Sequence, residues 1–405
     1  MNITGNQIEM IISTYLSRVL LTVITFSANI LIARTLGVEN VGTYAIILAI
    51  SAILSCFLSI GLESAFLYYS SSKANNRYYL AVLSLKYSLG ILLFVFLSLN
   101  IFEFEFEFIG YLPFLIVLSV FQSFLISIKI GSGELIKVNK VLIFSNVIYL
   151  CLLFFSPILG LFKIDVSVIL ILYLCNLSVT VAILFSDCYF GSKKKNDGNR
   201  VLLVTMLEYG KKSYLGSISG MVRLRAPILI ISIFVVDTQV GIFSISQTIL
   251  ESFYIFPVVL SSLLTPKIAN SLEAERKELV VHYVKIALLF ISPMVIVCYF
   301  SKDYVIEMLY GQDFLYVSNL LNILLPCVFI YAINKIMQSF FYGSGLPLIS
   351  SYSEFLTLLI VILLIIVFTP FFGIMGAAFA IVLASISQFI FLAYNMVKLN
   401  YCLKG

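Results

Sequence analysis

Residues 355–369 read FLTLLIVILLIIVFT. After Pro370-Phe371-Phe372-Gly373 the chain resumes over 374–396 with IMGAAFAIVLASISQFIFLAYNM. Both runs are apolar almost without interruption, the first from about residue 348, so neither has the every-second-residue alternation of a membrane β-barrel strand. Each is long enough to cross a hydrocarbon layer of about 30 Å as an α-helix. The Pro-Phe-Phe-Gly turn separates them into two crossings.

The same reading extends over the whole chain. Apolar runs fall near 10–34, 42–63, 78–100, 109–130, 141–162, 166–187, 213–236, 240–264, 280–300, 314–340, 348–369 and 373–397. Composition agrees: of 405 residues, 61 % are hydrophobic and 11 % charged, and mean hydropathy is +1.10. A soluble domain has roughly 45–50 % apolar and about 25 % charged residues. A water-soluble globule, a disordered chain and a disulfide scaffold are therefore excluded. The expected fold class is an all-α polytopic membrane protein of about twelve transmembrane helices. The first run is too long for a signal-peptide core and reads as an uncleaved span.

The seven cysteines contain no C-x-x-C pair and are expected to be small packing residues. The single histidine, His282, has no cysteine nearby and makes no zinc site. No metal, cofactor or catalytic group is expected, and nothing points to nucleic acid.

Cations in the connecting segments set orientation. One alternate set of loops carries eighteen Lys and Arg, including Arg77, Lys129, Lys137, Lys193, Lys194, Lys195, Lys277 and Lys398; the other set carries three, Arg34, Lys163 and Lys302. The first set and both termini are expected in the cytoplasm. The other set is acidic and short, and the alternating Phe102–Phe108 stretch is expected as an external edge with its rings in the interface. The longest hydrophilic linker, 191–212, divides an N-terminal lobe, 1–190, from a C-terminal lobe, 213–405, each of six spans.

The halves echo one another. Val41-Gly42-Thr43-Tyr44 recurs as Val240-Gly241-Ile242-Phe243, and Tyr15-Leu16 as Tyr214-Leu215, both at an offset of 199. Gly131-Ser132-Gly133 recurs as Gly343-Ser344-Gly345 at 212, and Pro157-x-x-Gly160 as Pro370-x-x-Gly373 at 213. An insertion of about 13 residues explains the step between offsets, and the charged stretch 270–282 is its expected place. An even number of spans in each half makes the repeat parallel, as in one class of transporters, with the substrate site expected between lobes near mid-membrane.

Charges inside the spans are costly and mark candidate functional positions. Arg223 and Glu251 fall near mid-span; Arg18 and Lys335 lie nearer the cytoplasmic edge. Arg223 and Arg225 are two residues apart, about 200° around a helix, and cannot face one point. Four interior cations against one central anion point to a cavity for a negatively charged substrate, and the planar guanidinium fork suits phosphate oxygens. The candidate substrate-binding residues are Arg223, Arg225, Arg18 and Lys335. Glu251 is the candidate for carrying a coupling proton or for neutralising an arginine, with the second reading favoured. Glu63 and Glu354 rank lower, being placed near cytoplasmic span ends.

Ala33-Arg34-Thr35-Leu36-Gly37, followed by Gly42-Thr43-Tyr44-Ala45, resembles the A-R-x-L-G-x-x-x-x-G-x-Y-A signature of Wzx-type polysaccharide-unit flippases in the multidrug/oligosaccharidyl-lipid/polysaccharide exporter superfamily. Gly373-Ile-Met-Gly376-Ala-Ala is similar to that family's opening of the last span. Val240–Ser244 and Pro266 also match in place. The resemblance implies two six-helix bundles with pseudo-two-fold symmetry in a bacterial inner membrane. It implies transport, not catalysis, of an undecaprenyl-pyrophosphate-linked oligosaccharide repeat unit, O-antigen or capsule, to the periplasmic leaflet. It further implies membrane lipid, a polysaccharide polymerase and a chain-length regulator as partners. The alternatives are a multidrug or small-anion exporter, or a membrane polymerase, for which no D-x-D motif or large external loop is present.

Overall fold

The computed structural model describes residues 5–71, 77–102, 108–156, 165–191 and 203–402. Residues 103–107 of the Phe-Glu run, the Pro157–Gly160 turn, Lys73, Lys163 and the 192–202 part of the basic linker lie outside the described residues. Among those described, the structure is almost entirely helical: α1 (Gly5–Ser59), α2 (Leu62–Ser71), α3 (Arg77–Phe102), α4 (Leu112–Gly131), α5 (Leu135–Phe155), α6 (Val166–Gly191), α7 (Leu203–Phe234), α8 (Asp237–Ala269), α9 (Glu273–Tyr310), α10 (Tyr316–Gly343) and α11 (Pro347–Cys402).

Nine of these helices are long and apolar enough to cross a membrane. Two of the nine are double. α1 is broken at Gly37 (φ 73°, ψ 173°) and α11 at Gly373 (φ 56°, ψ −144°), where a residue with a Cβ would be strained. With the breaks counted, and with α7 included, the described residues hold twelve crossings, six before the linker and six after it. The Pro370–Gly373 turn expected between the last two spans is the break in α11.

Apolar side chains form the core, with Phe66, Phe124, Phe243 and Phe341 fully buried, and also cover the outside of the helices. Large apolar side chains face outward: Phe300 is 81 % exposed and Phe371 79 %, whereas Ser84, Ser246, Ser339, Ser350 and Ser353 are fully buried. A lipid-facing surface lets hydrocarbon point out, and small hydroxyl residues let helix backbones approach. Most of these hydroxyls bond back along their own helices, as Ser246 does to the Ile242 carbonyl at 2.8 Å, whereas Ser350 on α11 donates to the Gln338 carbonyl of α10 at 3.2 Å. The cysteines are distributed unlike packing residues throughout: Cys188 and Cys327 are buried, but Cys151 and Cys175 are exposed.

The charged 270–282 stretch, the expected place of the insertion, is helical from Glu273 onward. Val280, Tyr283 and Ala287 are buried on one face while the intervening charges face out, an amphipathic pattern that carries the helix beyond its apolar run. Likewise α5 starts at Leu135, before its apolar run begins.

The chain divides into two compact units, 1–36 with 47–221, and 37–46 with 222–405. Within the second unit, the repeated Val-Gly motifs meet. A Cβ on Gly42 would lie 2.0 Å from the Asp237 carbonyl oxygen, and a Cβ on Gly241 would lie 2.1 Å from that of Val38. Asp237 is Val38 displaced by the repeat offset of 199, so the contact is reciprocal. Thr43 Oγ1 donates to Asp237 Oδ2 at 2.9 Å and ties the crossing. The second repeated motif is equally exact in backbone. Gly133 and Gly345 adopt φ 78° and 77°, the Ser132 and Ser344 amides bond to the Ile128 and Phe340 carbonyls, and those of Glu134 and Leu346 bond to Lys129 and Phe341. This is a glycine-terminated helix C-cap made twice.

Candidate functional site: a buried charge cluster in the second unit

The interior charges of the second unit come from four helices. α7 supplies Arg223 and Arg225, α8 Gln247, Glu251 and Tyr254, α10 Tyr331, Asn334, Lys335 and Gln338, and α11 Glu354 and Gln388. The two-residue separation on α7 sends the arginines to different partners, as the helical repeat requires. Arg223 Nε lies 2.9 Å from Glu354 Oε2, with both side chains about 15 % exposed. The N–H is not aimed at that oxygen, so charge rather than an aligned hydrogen bond holds the pair. Arg225 faces Glu251 through both terminal guanidinium nitrogens at 3.4 and 3.5 Å, a looser and more exposed pair, 35 % and 27 % exposed.

Amides link these pairs to their surroundings. Gln338 Nε2 donates to Glu354 Oε1 at 2.7 Å, and Lys335 Nζ donates to Gln338 Oε1 at 3.3 Å. Lys335, Gln338, Glu354 and Arg223 therefore form one chain across three helices. Gln247 Nε2 donates to Glu251 Oε1 at 2.8 Å and also to the Leu224 carbonyl, which fixes α8 against α7. The Tyr254 and Tyr331 rings stack at 3.7 Å with 16° between planes, within electrostatic reach of Arg223. Behind them, Asn334 Nδ2 donates to the Ser385 carbonyl at 2.9 Å and to Gln388 Oε1 at 3.3 Å. The network is only partly satisfied: Gln247 Oε1 and Asn334 Oδ1 are buried without a hydrogen-bond partner among the described residues.

Three cations face two carboxylates in this cluster, leaving one formal positive charge. Of the residues singled out in the sequence, the structure brings Arg223, Lys335, Arg225 and Glu251 into it. Arg18 is exposed on α1 and belongs to the first unit. Glu251 pairs with Arg225. Glu354, ranked low from its place in the sequence, is the partner of Arg223 and with Lys335 completes the chain. Its significance lies in the tight α10–α11 turn at Gly345, which folds residue 354 back beside residue 338.

The repeat makes the asymmetry legible. At the offsets of 199 and 212, Arg223, Arg225, Glu251, Lys335, Gln338 and Glu354 correspond to Ile24, Phe26, Ala52, Ser123, Ile126 and Leu142. Only the second copy carries the cluster. The first unit has a different charge network, at the α4–α5 turn. Glu134 accepts from Lys129 at 2.9 Å and from Arg77, Lys137 lies 3.4 Å away, and Lys129 also pairs with Asp187. Lys129 is only 2 % exposed, so it is a buried structural cation and not the free loop cation expected of it. Partial burial of Glu134 opposes ionisation, but the bonds from Lys129 and Arg77 outweigh it and hold the carboxyl at about 2. The corresponding positions of the second unit, Phe341, Leu346 and Ile349, are apolar.

The family model described as "Polysaccharide biosynthesis protein" matches residues 31–319. Among curated protein sequences, none matches the chain. Among solved structures, the chain is similar to the lipid II flippase MurJ in an inward closed conformation, with TM-score 0.74, 18 % identity, and coverage of 95 % of this chain and 86 % of that one. It is similar to an inward-facing multidrug resistance MATE family transporter of the MOP superfamily, with TM-score 0.74, 14 % identity, and coverage of 94 % and 96 %. It is also similar to a MOP superfamily transporter from Pyrococcus furiosus reported for the reverse polarity of its binding pocket, with TM-score 0.63, 13 % identity, and coverage of 97 % and 95 %. At these identities the likeness concerns the fold.

Proposed function

Because the chain belongs to this family of polysaccharide biosynthesis proteins, we propose that it is a flippase for an undecaprenyl-pyrophosphate-linked oligosaccharide repeat unit of O-antigen or capsule. It moves the unit from the cytoplasmic to the periplasmic leaflet of a bacterial inner membrane by alternating access, with both termini in the cytoplasm. It performs no covalent chemistry. A polysaccharide polymerase and a chain-length regulator take up the product.

The observation that carries the reading is the sign of the buried cluster. Holding charge inside a span costs several kcal/mol on the order of insertion scales, and here the cations outnumber the carboxylates. Lys335 is the surplus cation: among the described residues its ammonium donates to the Gln338 amide, and nearby Glu354, within its electrostatic reach, is paired with Arg223. A pyrophosphate supplies the charge that a second carboxylate would. Arg223 and Arg225 offer planar forks for its oxygens once their glutamates yield, and Glu251 is a counter-charge released or retaken as Arg225 engages. Arg18 adds a cation from the first half.

Deleting the gene tests the reading directly. Undecaprenyl-linked repeat units are expected to accumulate in the cytoplasmic leaflet while surface polysaccharide is lost, as measured by leaflet-selective glycan labelling. An unchanged leaflet distribution would exclude a flippase. A second arm replaces Arg223 and Arg225 together by alanine: surface polysaccharide should vanish while the protein stays in the membrane, and full activity of that variant would refute the assignment.

A further inference from the structure

The second half of α1 ends at Ser59, and the chain turns through Ile60 (φ 47°) and Gly61 (φ 71°) before α2 begins. The turn frees backbone carbonyls, and two tyrosine hydroxyls satisfy them. Tyr214 donates to the Phe57 carbonyl at 2.8 Å, and Tyr87 to that of Leu58 at 2.9 Å. At the same place α7 crosses in backbone contact: a Cβ on Gly61 would lie 2.3 Å from the Gly210 carbonyl oxygen, and a Cβ on Gly210 2.8 Å from that of Gly61.

The crossing brings a second set of tyrosines together, Tyr68, Tyr69 and Tyr209. Tyr68 and Tyr209 stack with centroids 4.7 Å apart and planes within 17°. Tyr69 meets both rings edge-on, at 5.2 and 6.0 Å. Tyr68 is 53 % exposed. Among the described residues, no protein group is bonded to the hydroxyl of either Tyr68 or Tyr209. The result is a flat ring more than half exposed, backed by a second ring and met by a third. α2 and α7 both adjoin loops expected in the cytoplasm, 72–76 and 192–202.

We infer that Tyr68 and Tyr209 form a carbohydrate-stacking platform that receives a pyranose of the glycan headgroup on its way in; the inference rests on the flippase reading above. The axial C–H bonds of a pyranose present a slightly positive, flat apolar face, which complements the negative face of an aromatic ring. Tyrosine adds a hydroxyl at the rim for the sugar's own hydroxyls. A platform fixed beforehand by two glycines and two further rings pays little ordering entropy on binding. A ring serving only to anchor the helix at the membrane interface needs no parallel partner.

The test uses the full chain in nanodiscs and two probes, undecaprenyl pyrophosphate bearing one N-acetylhexosamine and undecaprenyl pyrophosphate alone. Tyr68→Leu, which keeps apolar bulk but removes the flat face, should weaken the sugar-bearing lipid about tenfold and leave the bare lipid unchanged. Tyr68→Phe should stay within about twofold of the parent for both. Tyr209→Leu, which removes the backing ring, should weaken the sugar-bearing lipid in the same direction. The chain contains no tryptophan, so Tyr68→Trp introduces a unique fluorophore whose emission should shift with the sugar-bearing lipid only. Equal loss for both lipids would reassign the ring to interfacial anchoring, and no loss for either would also overturn the platform. If the unsubstituted chain binds neither lipid, the flippase reading itself fails.

Discussion

Arg223 and Glu354 hold one another where neither ion would rest alone. Removing the cation strands a carboxylate in a site about 14 % exposed, and breaking a buried pair costs about 3–5 kcal/mol. Arg223→Ala should therefore lower the thermal midpoint of the purified protein well below that of the parent, and Arg223→Ala with Glu354→Gln should recover most of the loss. A double variant no more stable than the single one would show that the pair is not what stabilises the site. Arg225 and Glu251 are a third exposed, so their pair is worth about 1 kcal/mol or less. Arg225→Ala is expected to leave the midpoint almost unchanged while surface polysaccharide falls, and Arg225→Lys to restore transport in part. The cost of charge in a span made Arg223 conspicuous in the sequence alone. Glu354 was not conspicuous, because its meeting with Arg223 depends on how α11 lies against α7 and α10, and spacing along the chain carries no trace of that.

At the scale of helices, close backbone approach and charge networks decide which elements stay together. Gly241→Ala places a methyl group 2.1 Å from the Val38 carbonyl oxygen, and backbone cannot step aside as a flexible side chain can. A loss of about 1–3 kcal/mol is expected, seen as a fall in thermal midpoint. Gly90→Ala, on α3 with nothing within 4 Å of its new methyl, should be neutral or slightly stabilising, since alanine favours helix. An equal fall in both variants would deny the crossing any special role. Glu134 gives a pH test. Its carboxyl is depressed from 4.5 to about 2 in the folded state, so the ionised network contributes fully above about 4.5, and the contribution is lost as pH falls from there toward 2. The midpoint difference between the parent and Glu134→Gln should be constant at neutral pH and shrink over that interval; a difference independent of pH would rule the network out. Helix extents beyond the apolar runs, as in α5 and α9, were not legible from hydropathy. Their outer turns are amphipathic and stabilised by packing on one face, a pattern of period 3.6 that an apolar-run count passes over.

For the whole molecule, the number of crossings and the internal repeat were legible because lipid imposes long apolar runs and because scarce glycine and proline recur at fixed offsets. The cluster's confinement to one half lies in the sequence as well, since the repeat sets its members opposite Ile24, Phe26, Ala52, Ser123, Ile126 and Leu142, but which of them meet depends on helix packing. Orientation is the property that remains to be measured at this scale. With eighteen cations in one set of loops and three in the other, β-lactamase fused after Gly405 should leave cells sensitive to ampicillin, and green fluorescent protein at the same position should fluoresce. Resistance from the first fusion would reverse the assignment and place the tyrosine stack on the far side of the membrane.

The mutual seating of Gly42 and Gly241 has a historical consequence. A patch that docks onto its own copy, residue for residue, is what joins the subunits of a symmetric homodimer. Once two such subunits are encoded as one polypeptide, a change on either side no longer appears twice. The copies become free to diverge, and a charged interior can be built in one while the other stays neutral. The glycines are the part that cannot follow, since each is held to its size by the other's backbone.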